Sequence, residues 1–351
     1  MKIFYAIQAT GNGHISRAME LLPYLQQYGQ VDVFLSGSNS HLKANLPVKF
    51  TSKGMSLFYG NKGGLDYFKM LQYCSPVRAY KEAKALPLED YDIVLNDFES
   101  ITAFSCYLKN IPSVNFGHQA AFISSHTPRP AKRSFAGEMV LKKYAPATGY
   151  VGLHFQPYDH FIYPPIIKSE ILKGFSEDKG HITVYLSHYS DAVVANALSQ
   201  LSDVRFEVFS KMVKQREQKG NITFIPIDNA LFTKSMLQSH GVITGAGFET
   251  PAETLYLGKR LLCLPIRGQY EQLCNAAALQ HFNVPIIEKI DEHFVENVQA
   301  WLNGLPQQQL TLMHDTFAIV QKVMETAQAT KRLHQNTLSN ILNEEDVWAI
   351  G

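Results

Sequence analysis

Along the chain, short continuous runs of apolar, largely β-branched residues alternate with segments whose apolar positions recur every three to four residues. The first pattern predicts strands buried on both faces, and the second predicts amphipathic helices that cover them. In the first half, strands are expected at Lys2 to Ile7, Val31 to Leu35, Tyr91 to Asp97 and Pro112 to Phe116. The first helix should carry Ile15, Ala18, Leu21, Leu22 and Leu25, and another is expected within residues 60–86, entered through Gly60-Asn61-Lys62-Gly63-Gly64. In the second half, strands at His181 to Leu186, Val204 to Phe209, Ile222 to Ile225, Gly241 to Thr244 and Arg260 to Leu264 interleave with helices at Asp191 to Leu201 and Ala230 to Gln238. Strands alternating with helices in this way predict an α/β protein built from doubly wound parallel sheets.

Between the halves, Gln156-Pro157-Tyr158-Asp159-His160-Phe161-Ile162-Tyr163-Pro164-Pro165 breaks both periods. The expected organisation is therefore a Rossmann-like domain over residues 1–158, a linker over 159–178, a second domain over 179–328 and a helical tail over 329–351 that can pack back on the first domain. The stretch Gln307 to Leu342 reads as polar and helical, with Leu310, Met313, Phe317, Ile319 and Val320 on its more apolar side.

Composition narrows the function classes. A length of 351 residues fits about two domains, and 46% hydrophobic with 18% charged residues is globular. A formal net charge of +1 gives no whole-molecule attraction to nucleic acid, so electrostatic arguments must be local. The four cysteines, Cys74, Cys106, Cys263 and Cys274, have neither CxxC spacing nor the density of a disulfide scaffold, so a cytoplasmic location is expected. No secretory signal pattern and no apolar run long enough to span a bilayer is evident. One basic stretch stands out: Arg129, Lys132, Arg133, Lys142 and Lys143 fall among Phe135, Met139, Val140 and Leu141. It reads either as a solvated helix face or as a patch that meets anionic lipid, or a phosphorylated acceptor, at the inner face of the membrane.

Two glycine turns carry the candidate chemistry. After the first strand, Gly11-Asn12-Gly13-His14 opens a helix, as in a Rossmann start. The dinucleotide fingerprint is incomplete, because His14-Ile15-Ser16 stands where its third glycine belongs and the next strand ends in Ser36-Gly37-Ser38-Asn39 with no acidic residue for a ribose. After the strand Gly241 to Thr244, the turn Gly245-Ala246-Gly247 leads through Phe248, Glu249 and Thr250 into a helix whose N–H groups can hold a phosphate. Glu253 follows on that helix, and Glu271, Gln272 and Asn275 follow the next strand. In open α/β sheets ligands sit beyond the carboxyl ends of the strands, which places His14, Asp97 and His118 with Gln119 on one rim. The acidic Asp90-Tyr91-Asp92 precedes its strand and so lies at the opposite end of the sheet; no metal site is expected.

These motifs resemble the nucleotide-sugar glycosyltransferases of the GT-B fold, especially the UDP-glycosyltransferases and the lipid-intermediate N-acetylglucosaminyltransferase of peptidoglycan synthesis. The resemblance is carried by Gly11-Asn12-Gly13-His14, by Tyr91 to Asp97, and above all by Thr244 to Ala276, with Glu253 six residues after Gly247 and Gln272 three before Asn275. Within that superfamily the chain is similar to prokaryotic proteins labelled as teichoic-acid-type, which implies a role in cell-envelope polysaccharide. It implies two Rossmann-like domains facing across a cleft and transfer from a UDP-sugar co-substrate, with no further cofactor, to a carbohydrate or lipid-linked acceptor. It also implies His14 as base with Asp97 behind it, Glu253 on the ribose, Gln272 and Glu271 on the sugar, and Ile227 beside the uracil. Gly245 departs from the pattern, since an imidazole or guanidinium often stands there; either the helix N–H groups meet the phosphate charge, or Ser187-His188 or Arg267 substitutes.

Each residue also has a plainer reading. His14 could cap or turn its helix, Asp97 could cap the helix that begins near Glu99, and Ile227 could be an ordinary turn residue. Alone, Glu253 would be an exposed helix glutamate, and Glu271 and Gln272 helix-start polar residues. A UDP-sugar 2-epimerase and a non-catalytic nucleotide-sugar sensor remain alternatives on the same fold.

Overall fold

A computed structural model describes residues 1–9, 12–37, 46–54 and 75–348. Among these, two sheets account for the strands. The first has the order β3-β2-β1-β4-β5-β6-β7 and the second β10-β11-β9-β8-β12-β13. In the first sheet β1 is Lys2–Gln8, β2 Gln30–Ser36, β3 Val48–Ser52, β4 Ile93–Asp97, β5 Val114–Gly117, β6 Gly149–Leu153 and β7 Ile162–Tyr163. In the second, β8 is His181–Tyr185, β9 Arg205–Ser210, β10 Glu217–Lys219, β11 Ile222–Pro226, β12 Gly241–Thr244 and β13 Arg260–Cys263. All pairings are parallel except that of the short β10 with β11.

The apolar runs explain the arrangement. Ile3, Phe4, Tyr5, Ala6 and Ile7 are all fully buried, with alternate residues feeding the core layers on either side of the sheet. Ile3, Tyr5 and Ile7 join the largest apolar cluster, which continues through Phe155, Ile166 and Ile167 to Val242, Phe248 and Ala252 of the second half. Apolar packing thus connects the two sheets.

Three features depart from the sequence expectation. Ile162–Tyr163, within the stretch read as linker, adds an edge strand by pairing with β6. The short strands β3, β6, β7 and β10 have little patterning of their own. The final helix, Thr316–Trp348, already contributes Ile319, Val320, Val323, Met324 and Ala327 to the core beside the first sheet, whereas Met313 and Phe317 are exposed. Farther along, Lys331 donates to the Asp92 carbonyl at 3.0 Å. The expected helix within 60–86 is observed over Pro76–Ala85; its earlier part, with Cys74, lies outside the described residues.

Both sheets reverse winding direction between two neighbouring strands. In the first this is between β1 and β4, where Ile7 pairs with Asp97; in the second it is between β8 and β12, where Tyr185 pairs with Thr244. Such switch points leave room for a ligand beyond the strand ends.

Candidate active site between the two sheets

At the first switch point, the helix Asn12–Leu25 follows β1 and presents His14, while β4 ends at Asp97. His14 Nδ1 lies 2.9 Å from Asp97 Oδ1, and Asp97 is wholly buried. The helix Ser100–Lys109 is capped by Glu99, whose carboxylate accepts from the N–H groups of Ile101 and Thr102, so Asp97 is not spent as a cap. Phe98 between them takes the left-handed conformation at φ 57°, uncommon for a bulky residue, and so turns the chain sharply between the two carboxylates. Gly117, at the end of β5, completes the enclosure: a Cβ there would stand 2.5 Å from Asp97 Oδ1.

Arg17 joins the pair. Its Nη2 donates to both Asp97 oxygens at 2.8 Å and its Nε to Oδ2 at 3.2 Å, while Nη1 donates to Glu249 of the opposite domain. The Arg17 side chain is 2% exposed, so this is a buried charge network. Burial alone would raise the Asp97 carboxyl, but Arg17 and His14 outweigh it and hold it below the usual carboxylate range. For His14, burial lowers its affinity for a proton, and the Asp97 charge and hydrogen bond more than compensate, leaving it above the ordinary imidazole value. With Nδ1–H donated to Asp97, Nε2 carries the lone pair.

Arg17 went unnoticed in the sequence. A signal was available: an arginine in the first turns of a helix opposes the helix dipole, and at three residues from His14 it shares that residue's face.

On the second side, the helix Glu249–Tyr256 has no side-chain cap, and a Cβ on Gly247 would meet nothing within 4 Å, so the turn is open to close approach. Ala246 and Phe248 are buried. Gly245 is crowded instead: a Cβ would sit 3.3 Å from Gln272 Oε1, which accepts the Ile266 N–H at 2.9 Å. The missing imidazole thus coincides with close packing of Gln272. Ser187, His188 and Arg267 are exposed on their loops.

Several signature residues are engaged across the molecule. Glu253 is buried and pairs with Lys168 at 3.3 Å; burial pushes its carboxyl up to about 7, and Lys168 offsets only part of that. Asn275 Oδ1 faces His118 Nε2 at 2.8 Å, and its amide donates to the Ala246 carbonyl at 3.1 Å. Glu271 accepts from Gln119 at 3.0 Å. His118 stacks on Phe248 with ring centroids 3.9 Å apart, and burial lowers its affinity for a proton. His118 and Gln119 therefore join the halves together and do not line open space.

A cavity of about 90 Å³ opens between the halves, lined by Gly13 and Ser16 from one side, Lys168 from the connection, and Tyr185, Phe209, Ile227, Phe232, Glu249 and Thr250 from the other. Among the site expectations it contains Gly13, Ile227, Glu249 and Thr250; Gly11 and the Asn12 side chain lie outside the described residues. Ligand sites usually run to several hundred Å³; here Glu249 reaches across to Arg17 and Gly13 and leaves the cleft narrow.

The basic stretch needs correction. Arg129 is not on a solvated face: it is 5% exposed, pairs with Glu138 at 2.6 Å and donates to the Phe122 and Thr127 carbonyls. Lys142 also pairs with Glu138, leaving Lys132, Arg133 and Lys143 exposed beside Phe135 and Met139. The helix Phe135–Lys143 instead packs against the second half, where Tyr270 donates to Glu138 at 2.8 Å over Gly137. Asp92, of the DxD pattern, accepts the Lys2 N–H at the far end of the sheet.

Among solved structures, Arabidopsis thaliana UGT89C1 complexed with UDP-L-rhamnose is similar over 98% of this chain and 98% of its own, with 14% identity and a TM-score of 0.56. The glycosyltransferase SnogD from Streptomyces nogalater is similar over 97% of this chain and 99% of its own, with 12% identity and a TM-score of 0.54. No match is found among curated proteins. Residues 1–306 match the family described as Glycosyl transferase family 1. With paired doubly wound sheets and a site at their switch points, the chain belongs to that family and is a GT-B glycosyltransferase.

Proposed function

We propose that the protein transfers a sugar from a UDP donor to an acceptor hydroxyl by a single displacement that inverts the anomeric carbon, without a metal ion. The observation that carries this reading is the His14–Asp97 contact, next to the Gly13 that lines the interdomain cavity. The acceptor O–H gives its proton to His14 Nε2 as its oxygen attacks the anomeric carbon. The bond from that carbon to the diphosphate breaks, and UDP leaves with the electron pair. Asp97 stabilises the imidazolium and keeps the tautomer that leaves Nε2 free. Negative charge building on the diphosphate meets the uncapped helix end at Gly247 to Thr250. The nucleoside takes the slot of Tyr185, Phe209, Ile227 and Phe232, with its ribose toward the Lys168–Glu253 pair. Gln272 and Glu271 read the sugar once the cleft has opened to admit it. That a similar fold holds UDP-L-rhamnose supports the donor class.

A panel of UDP-, GDP- and dTDP-sugars tests the donor by thermal shift, because binding raises apparent stability by mass action. UDP-sugars should raise the melting temperature and the others should not. His14→Ala should keep that shift while UDP release falls by about 100-fold or more. Shifts by no donor, or full turnover in the variant, would sink the reading.

Peripheral membrane contact is a further part of the proposal, supported by Phe135 at 83% exposure beside Lys132, Arg133 and Lys143. The protein should sediment with anionic vesicles, and neutralising those three residues should abolish it. Failure of the unaltered protein to sediment ends this part.

A further inference from the structure

Glu249 starts the second-domain helix, yet its carboxylate spends its hydrogen bonding on the first domain. Oε1 accepts from the Arg17 guanidinium, and Oε2 rests over the bare backbone of Gly13, where a Cβ would lie 2.5 Å away. Glycine at position 13 is what lets a carboxylate from the facing domain reach a buried arginine. Glu249 is itself only 22% exposed, so the pair is not a rim salt bridge.

Counting charge gives this contact a chemical consequence. In the closed cleft one cation, Arg17, faces two carboxylates, Asp97 and Glu249, so the group becomes neutral when His14 takes up a proton. With the second domain swung away, Arg17 and Asp97 cancel, and a proton on His14 would be surplus. We propose that Glu249 is a positioning residue which, carried to Arg17 by cleft closure, strengthens His14 as a base only when the donor domain is in place. This rests on His14 being the base, as argued above.

The groups around His14 agree in sign. Asp97 from β4 and Glu249 from the second domain favour its protonated form, whereas burial and Arg17 on its own helix oppose it. Behind them, the buried Tyr5 of β1 feels both Asp97 and Arg17. Beyond Glu249 stand Glu253 with Lys168, and Glu20, whose carboxylate holds Ser169. His118, within the field of Glu249, is disfavoured from carrying charge by its burial. Glu249 is therefore the charge that arrives with the other domain, and Arg17 relays it to Asp97 through hydrogen bonds at both ends.

Glu249→Gln keeps the shape and an acceptor for Arg17 while removing the charge. The His14 imidazole, followed by NMR through a pH titration, should titrate about half a pH unit or more lower in the variant than in the unaltered protein. The acidic limb of the rate of UDP release should move down with it, and the maximal rate should fall about three- to tenfold, as expected for a weaker base. Glu249→Asp, which keeps the charge, should restore the titration toward that of the unaltered protein, and it carries the test should the Gln variant melt without cooperativity. Coincident His14 titrations in all the folded proteins, with His14→Ala inactive, would overturn this inference and leave the base intact. Full activity in His14→Ala would instead overturn the base assignment itself.

Discussion

The two sides of the cleft solve the same problem differently. On the first side, His14, Asp97 and Arg17 come from one domain: Asp97 receives three hydrogen bonds from Arg17 and one contact from His14, and only the far end of Arg17 reaches across to Glu249. On the second side, the signature residues are held from elsewhere. Glu253 depends on Lys168 of the connection, Asn275 on His118, and Glu271 on Gln119. A reactive pair must keep its geometry whatever the cleft does, and a single parallel sheet provides that by setting β1 beside β4. A donor site that admits and releases a nucleotide can instead exchange protein partners for ligand as it opens. Residues expected from the sequence to contact a ligand are held here by contacts with other parts of the chain.

The largest effect expected from breaking this contrast is on the self-contained side. Asp97→Asn keeps the size of the side chain but removes the charge that stabilises an imidazolium and fixes the His14 tautomer, so turnover should drop by about 10³-fold. Donor affinity, set on the other side, should change little. UDP release under saturating donor measures the first and calorimetry with UDP the second. A loss smaller than tenfold, or a parallel loss of UDP affinity, would mean that the two sides are not separable as described.

How much of this was legible follows from which interactions are local. The alternating strands and helices, His14 after a glycine turn and Asp97 at a strand end can all be read along the chain, because each follows from periodicity and from where a parallel strand must end. Their meeting at 2.9 Å needs only the adjacency of β1 and β4. Arg17 was legible in principle, as a cation set against a helix dipole, but its meaning depends on Glu249, and 232 positions separate them. Likewise nothing near Glu253 announces Lys168, 85 positions earlier, in a segment without periodicity. Arg129 misleads for the same reason: it reads as one of five basic residues until Glu138 and the Phe122 carbonyl claim it. Long-range partners of buried charges are fixed by packing, and no spacing rule in the chain records them.

Glu253 sharpens the contrast from the donor side, with a smaller effect. A glutamate whose carboxyl is pushed up to about 7 in the folded protein binds its proton more tightly there than in the unfolded chain, where the ordinary value is 4.5. Its ionisation therefore opposes folding. The penalty is absent below about pH 4.5, grows as the pH rises toward 7 and is complete above it. Glu253→Gln mimics the protonated form at every pH. Compared with the unaltered protein it should be about equally stable near pH 4 and gain relative stability up to about 3 kcal/mol by pH 8. Urea unfolding of both proteins across that range measures the difference, and taking the difference removes the titrations they share, including that of Asp97. The same substitution should weaken UDP binding by about 1 to 3 kcal/mol, because a neutral amide replaces an ionised acceptor for the ribose diol. A stability difference that stays flat with pH would show that Lys168 compensates the buried carboxylate in full. Unchanged UDP affinity would remove Glu253 from the ribose and leave it as a strut between the connection and the second domain.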